Sequence, residues 1–156
     1  MIPIDIPGFG PLRLVHLVID FNGTLAIDRC LHLGIGQTLR HLAERLEIHV
    51  VTGDESGDAM KQLGDLPLRL TLIQGGNQAE AKLDYVKSLG AESVVAIGNG
   101  RNDHLMIEAA ALGIAVIHKE GAAQQVIRAS DVVTTSVIDA LDLLFQPRRL
   151  ISTLRS

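Results

Sequence analysis

Short β-branched runs alternating with longer segments of helical periodicity predict an α/β fold, a Rossmann-like parallel sheet with helices on both faces. The composition agrees with this. Apolar residues make up 47% of the 156-residue chain and aromatics only 3%, the Leu, Ile, Val and Ala make-up of strands covered on both sides. One domain spanning residues 1–156 is expected, because domains run at roughly 100 to 200 residues and neither a polar linker nor an internal repeat divides the chain.

Along the chain, Pro3, Pro7 and Pro11 keep residues 1–13 in an extended arm or edge strand, since proline fixes φ and gives no ladder hydrogen bond. Strands are predicted over 14–20, 48–52, 70–73, 94–98, 113–117 and 131–134, with helices over 36–46, 56–63, 77–89, 101–111, 122–129 and 136–145. The third helix has the clearest boundaries. Asn77 caps its start, Glu80 takes the capping-box position, and Gly90 follows where a left-handed residue is wanted. Residues 147–156 carry Arg148, Arg149 and Arg155 without an acid and read as a basic tail in a solvated helix.

Fourteen basic residues against eighteen acidic ones leave a net charge of -4, which disfavours a polyanionic partner, and the few aromatics exclude a base-stacking surface. Nucleic acid is therefore not expected. A single cysteine, Cys30, offers neither an internal disulfide nor a zinc pair. No apolar run reaches the ~20 residues that cross a bilayer, so a reducing, cytoplasmic setting without membrane contact is expected. The six histidines show no ligand spacing such as HExxH and read as structural.

In a doubly wound sheet, ligands bind beyond the carboxyl ends of the strands. Three such ends are polar: Asp20-Phe21-Asn22-Gly23-Thr24, Thr52-Gly53-Asp54 and Gly98-Asn99-Gly100-Arg101-Asn102-Asp103, with Lys82 on the helix before the fourth strand. A carboxylate that can attack or bind metal, a hydroxyl beside a glycine, one lysine and oxygen-rich side chains suit a phosphoryl group and a divalent cation.

These motifs, in this order, resemble those of the haloacid dehalogenase superfamily. Within it, Thr52-Gly-Asp54 and the run from Gly98 to Asp103 are similar to the phosphorylation domain of P-type cation ATPases. The likeness continues through residues 112–116 and 129–133, and no insert between motifs is long enough for a cap or a nucleotide-binding domain. The resemblance thus implies a capless haloacid dehalogenase-like core. It makes Asp20 the nucleophile that forms an aspartyl phosphate. Phosphate would be held by Thr52, Gly23, Gly53 and Lys82, and Mg²⁺ by Asp20, the backbone carbonyl of Asn22, Asn99 and Asp103. The sequence departs from the family twice. Asn22 stands where phosphatases carry the acid/base Asp, and Asn99 where they carry an acidic metal ligand. General acid/base help is worth about 10²- to 10⁴-fold, so a slow Mg²⁺-dependent phosphohydrolase is expected, with Asn22 a weak catalytic partner. The alternative is a barely catalytic module that binds a phosphorylated ligand or partner protein. The expected partner is a small phosphorylated substrate, selected by the flap over 26–34 or by a second copy of the chain.

Overall fold

The structure, a computed structural model, describes residues 1–156. Its main sheet contains six strands, all parallel. In chain order these are β3 (His16–Ile19), β6 (Glu47–Thr52), β7 (Arg69–Leu72), β8 (Val94–Gly98), β9 (Leu112–Val116) and β10 (Val132–Thr134). Their spatial order is β10-β9-β8-β3-β6-β7. The chain therefore builds outward from β3 through β6 to β7, then crosses back and builds the other way through β8. That reversal leaves a crevice between the carboxyl ends of β3 and β8, where ligands of such sheets bind.

Helices cover both faces, as the unbroken apolar character of the strands requires. Leu17, Ile19, Val50 and Ile97 face one way and pack with α1 (Ile35–Leu42) and α6 (Val137–Phe145). Val18, Val51 and Ala96 face the other way and pack with α3 (Gln78–Leu89), α4 (His104–Ala109) and α5 (Gln124–Ala129). The boundaries of α3 follow the sequence signals. The Asn77 side chain accepts a hydrogen bond from the Glu80 amide at 3.2 Å, and Gly90 has φ +87°. The sixth helix of the layer, α2 (Asp58–Leu63), follows β6.

Three expectations need correction. Residues 1–13 are extended, but as a hairpin rather than as an arm or an edge of the main sheet. β1 (Ile2–Ile6) and β2 (Gly10–Leu14) form an antiparallel hairpin outside the main sheet. Ile2, Ile4, Ile6, Leu12 and Leu14 are buried, while Pro3 and Pro11 face solvent. A two-stranded ribbon has no central strand, so it tolerates the prolines, and it claims Leu14, leaving the central strand to begin at His16. Second, the tail is not wholly solvated. Its helix α7 (Pro147–Leu154) buries Leu150, and the Ser156 amide donates to the Pro7 carbonyl at 3.1 Å, so the two ends of the chain pack on each other. Third, the helix expected over 101–111 opens as a 3₁₀ turn, Arg101–Asp103, before α4.

The flap is a small hairpin of β4 (Ala26–Ile27) and β5 (Cys30–Leu31). Its two turn residues, Asp28 and Arg29, have φ 51° and 66°, the left-handed pair that a two-residue hairpin of this hand requires. Gln62 of α2 clamps it, accepting from the Leu31 amide at 2.6 Å and donating to the Arg29 carbonyl. No helix is long and apolar enough to cross a membrane.

Because the hairpin is part of the core, Ile4→Ala should destabilise the protein by about 2–5 kcal/mol. Asp5→Ala, which removes only an exposed pair with Arg13, should cost at most about 1 kcal/mol. Equal, small losses in chemical denaturation would mean that the hairpin does not belong to the cooperative unit.

Candidate active site

The site starts at the end of β3. The Asp20 amide donates to the Ile97 carbonyl at 3.0 Å, which continues the β3–β8 ladder by one residue and fixes the Asp20 carboxylate at the mouth of the crevice. Beyond it the chain turns back through a tight loop in which the Gly23 and Ala26 amides donate to the Ala26 and Phe21 carbonyls, respectively. Gly23 has φ +78°, and a Cβ there would strike the Asn99 side chain. Glycine is needed at this position on both counts.

Lys82, on the inner face of α3, is fully buried. Its Nζ donates to Asp20 Oδ1 and to Asp103 Oδ1, each at 2.7 Å. The other Asp103 oxygen accepts from the backbone amides of Asn99 and Gly100 at 3.1 and 2.9 Å. Asp103 thus bolts the β8 loop to α3, and Gly98 is there because a Cβ would lie 2.6 Å from the Asp103 carboxylate. Three charges in this buried row leave a net charge of -1. Burial, and next the Asp103 carboxylate, push the Asp20 carboxyl up to about 7 against the pull of Lys82. Burial alone would lower the Lys82 ammonium, but Asp20 and Asp103 overcome it and hold the proton on nitrogen.

Asp20, Asn22, Thr52, Gly53, Asp54, Gln78, Asn99, Gly100 and Asn102 line a cavity of about 250 Å³ with no hydrophobic residue among them. Thr52 Oγ1 accepts from the Asp54 amide at 3.1 Å, so its own proton remains free to be donated into the cavity. Asn99 is tied at both ends, with Oδ1 accepting from Thr24 at 3.1 Å and Nδ2 donating to the Gly121 carbonyl at 3.1 Å. The position is built for an amide: an aspartate would set a carboxylate oxygen against that carbonyl.

The structure brings Asp20, Asn22, Thr52, Gly53 and Asn99 to one cavity and sets Lys82 directly behind Asp20. It does not bring Asp103 there, because both of its oxygens are engaged and its side chain has no exposure. Four lining residues were given no site role from the sequence: Asp54, Gly100 and Asn102, which lie inside its polar motifs, and Gln78, which lies in none. The Gln78 side chain accepts from Asn102 at 2.8 Å, a cross-link between α3 and the β8 loop that no local pattern signals. Asp54 closes a visible motif. Its carboxyl is held below the ordinary range, chiefly by the hydroxyl and amide of Ser56 at 2.8 and 2.9 Å, with smaller help from Arg29 and the Asn22 amide.

Fold and site together define an open α/β domain with a carboxylate–lysine–carboxylate row at its switch point. Comparison with known proteins says which one. A family model described as haloacid dehalogenase-like hydrolase matches residues 76–140, and the chain belongs to that family. It is 44% identical over 84 residues to the uncharacterized protein MJ0073 of Methanocaldococcus jannaschii, a match covering 51% of this chain and 90% of that one. It is also 35% identical over 78 residues to the phospholipid-transporting ATPase tat-1 of Caenorhabditis elegans, covering 47% of this chain but only 6% of the transporter. Among solved structures, the cobalt-bound deoxy-D-mannose-octulosonate 8-phosphate phosphatase YrbI from Haemophilus influenzae superposes with TM-score 0.71 at 20% identity, covering 92% of this chain and 94% of that one. The corresponding phosphatase from Moraxella catarrhalis, in complex with magnesium, phosphate and its sugar, gives 0.72 at 18% identity with the same coverage. At these identities the structural likeness shows the fold.

Two predictions follow from the charge row. Lys82→Met, by leaving two carboxylates buried without their cation, should destabilise the protein by about 3–5 kcal/mol at neutral pH. Asp20→Asn should do the opposite. A carboxyl whose folded pKa is raised contributes its stability in full below the ordinary carboxylate value, and loses it as pH climbs to about 7. In metal-free buffer the melting temperature of Asp20→Asn should therefore exceed wild type at pH 8, with the gap closing toward pH 4. A lower melting temperature at pH 8 would show that Lys82 outweighs burial.

Proposed function

We propose that this protein is a Mg²⁺-dependent phosphohydrolase that works through an aspartyl phosphate on Asp20, acts on small phosphorylated compounds and turns over slowly. The observation that carries the reading is the Asp20–Lys82–Asp103 row beneath an all-polar cavity. Asp20 points one oxygen at Lys82, and the other, with only a long 3.5 Å contact from the Thr24 hydroxyl, is the one that attacks phosphorus, with no base required. Lys82 favours the ionised form of the nucleophile, against burial and Asp103, and Thr52 donates to a phosphoryl oxygen. The Gly53 backbone lines the cavity and lets the chain approach the phosphate closely, whereas Gly23 makes room for the Asn99 side chain.

The donors fit a hard cation. Asp20, the Asn22 carbonyl and Asn99 Oδ1 offer oxygen only, as Mg²⁺ prefers; when bound, Mg²⁺ would neutralise charge on the phosphoryl oxygens. Asp103 is better read as the residue that positions Lys82 and the β8 loop than as a ligand. Asp54, held ionised by Ser56, is the one other carboxylate lining the cavity. It adds negative charge that offsets the neutral Asn99, but its depressed pKa makes it a poor proton acceptor. Asn22 cannot take a proton from water, so breakdown of the phospho-Asp20 ester is the slow half of the cycle. The phosphatases that share the fold act on a phosphorylated sugar acid, as their names state, which supports a small phosphometabolite as substrate. Without a cap, the flap over 26–34 or a second copy of the chain selects it.

The test is turnover of small phosphate esters with Mg²⁺. Activity should require Mg²⁺ and disappear in Asp20→Asn, and Asn22→Asp should raise it by up to about 10²- to 10⁴-fold. Equal activity in wild type and Asp20→Asn would refute the mechanism. Asn99→Asp should lower the Mg²⁺ concentration needed for activity. Without Mg²⁺ that variant should be about 1–3 kcal/mol less stable, because the Gly121 carbonyl loses its donor. An unchanged Mg²⁺ response would remove residue 99 from the ion's surroundings.

A further inference from the structure

At the other end of the sheet, three metal-ligating side chains meet that no sequence spacing connects. His16 opens β3, and Glu47 and His49 lie two apart on β6. The parallel register sets His16 beside Glu47 and Val18 beside His49. Residues two apart on a strand share a face, so all three side chains stand together at the amino end, on the side covered by α3. His16 Nδ1 lies 3.2 Å from His49 Nε2 and 3.3 Å from Glu47 Oε2, and all three donor atoms fall within 4.8 Å of one another. Behind them, His49 Nδ1 is 2.9 Å from the Tyr85 hydroxyl, which also takes a weaker bond from Thr71 at 3.4 Å.

We propose that His16, Glu47 and His49 form a second metal site, for a divalent cation of the zinc class, distinct from the oxygen-lined cavity at the carboxyl ends. The geometry fits. Zinc bonds of about 2.0–2.1 Å in a tetrahedron put neighbouring donors about 3.3 Å apart, close to both separations observed around His16 Nδ1. The chemistry fits as well. Two imidazoles and one carboxylate select a borderline transition metal over Mg²⁺, which demands oxygen donors and keeps its waters.

The surroundings also favour a ligand role. In the tautomer that carries its proton on Nδ1, His49 donates to the Tyr85 hydroxyl and turns the Nε2 lone pair toward the other donors, the second-sphere arrangement typical of ligating histidines. Arg69, across from His49 on β7, repels a dication, and the Glu47 carboxylate offsets that repulsion. Glu47 and His49 also line a surface cavity of about 450 Å³, and three protein donors would leave a fourth tetrahedral position for water. Bound there, the ion would staple β3 to β6.

Co²⁺ titration of the intact protein, followed by visible absorption, tests this directly, because tetrahedral cobalt with nitrogen ligands absorbs far more strongly than octahedral cobalt on oxygen. One equivalent should give intense bands that Zn²⁺ removes and excess Mg²⁺ does not. His16→Gln and Glu47→Gln should abolish them. Tyr85→Phe should weaken the cobalt affinity of this site about 10- to 100-fold. Glu47 is exposed, so its variant tests the site without risk to the core. Weak bands alone, or intense bands that persist in both His16→Gln and Glu47→Gln, would overturn the proposal and leave the cluster as a hydrogen-bonded chain from Glu47 to Tyr85. Neither outcome depends on phosphatase activity.

Discussion

The Lys82 ammonium, enclosed between Asp20 and Asp103, is the interaction on which the rest of the site depends. An isolated buried charge is expensive in any protein interior, and here one cation compensates two carboxylates at 2.7 Å each. The arrangement ties together three pieces of chain far apart in sequence: the end of β3, the middle of α3 and the loop after β8. Asp103 spends its second oxygen on two backbone amides of that loop, so the loop's shape and the position of Lys82 are set by the same side chain. The excess negative charge is not cancelled by protein. It faces a polar cavity, where a cation and an electrophilic phosphorus would both be attracted.

This division of labour separates two kinds of acidic residue that look alike in a motif. Asp20 is at the surface of the crevice and Asp103 lies behind it, although both sit at strand ends and both touch Lys82. The difference comes from the 3₁₀ turn at 101–103, which swings Asp103 inward, beneath the loop. The two asparagines also diverge. Asn99 is locked by Thr24 and Gly121, so its amide is part of the architecture. Asn22 is exposed at the cavity rim and has only its neighbour Asp54 to restrain it. Replacing the first therefore disturbs the structure, whereas replacing the second changes mainly the chemistry.

Much of this was legible in the sequence because it is local. The six main strands, the boundaries of α3 at Asn77 and Gly90, and the polar strand ends are each written in a few consecutive residues. What was not legible depends on pairing between distant segments. The burial of β1 and β2 needs the partner surface of α7, and nothing within residues 1–13 announces it beyond an alternation that the prolines obscure. Gln78 meets Asn102 only because α3 lies over the β8 loop. The cluster of His16, Glu47 and His49 exists only in the β3–β6 register, so histidines with no motif between them read as structural. For Asp103 the motif was clear, but the direction of its side chain is decided by the Asn99 and Gly100 amides of its own loop together with Lys82 on α3, 21 residues earlier.

The central claim is that Asp20 carries the phosphoryl group. It is tested most directly by incubating the protein with Mg²⁺ and a radiolabelled acyl phosphate, whose leaving group needs little protonation, then quenching in acid and mapping the label after a chase. The account predicts one label per chain, on the peptide that contains Asp20. Without a general base at residue 22 the label should persist through the chase, and in Asn22→Asp it should vanish quickly. Absence of acid-stable label with any acyl phosphate, or label that survives in Asp20→Asn, would contradict it.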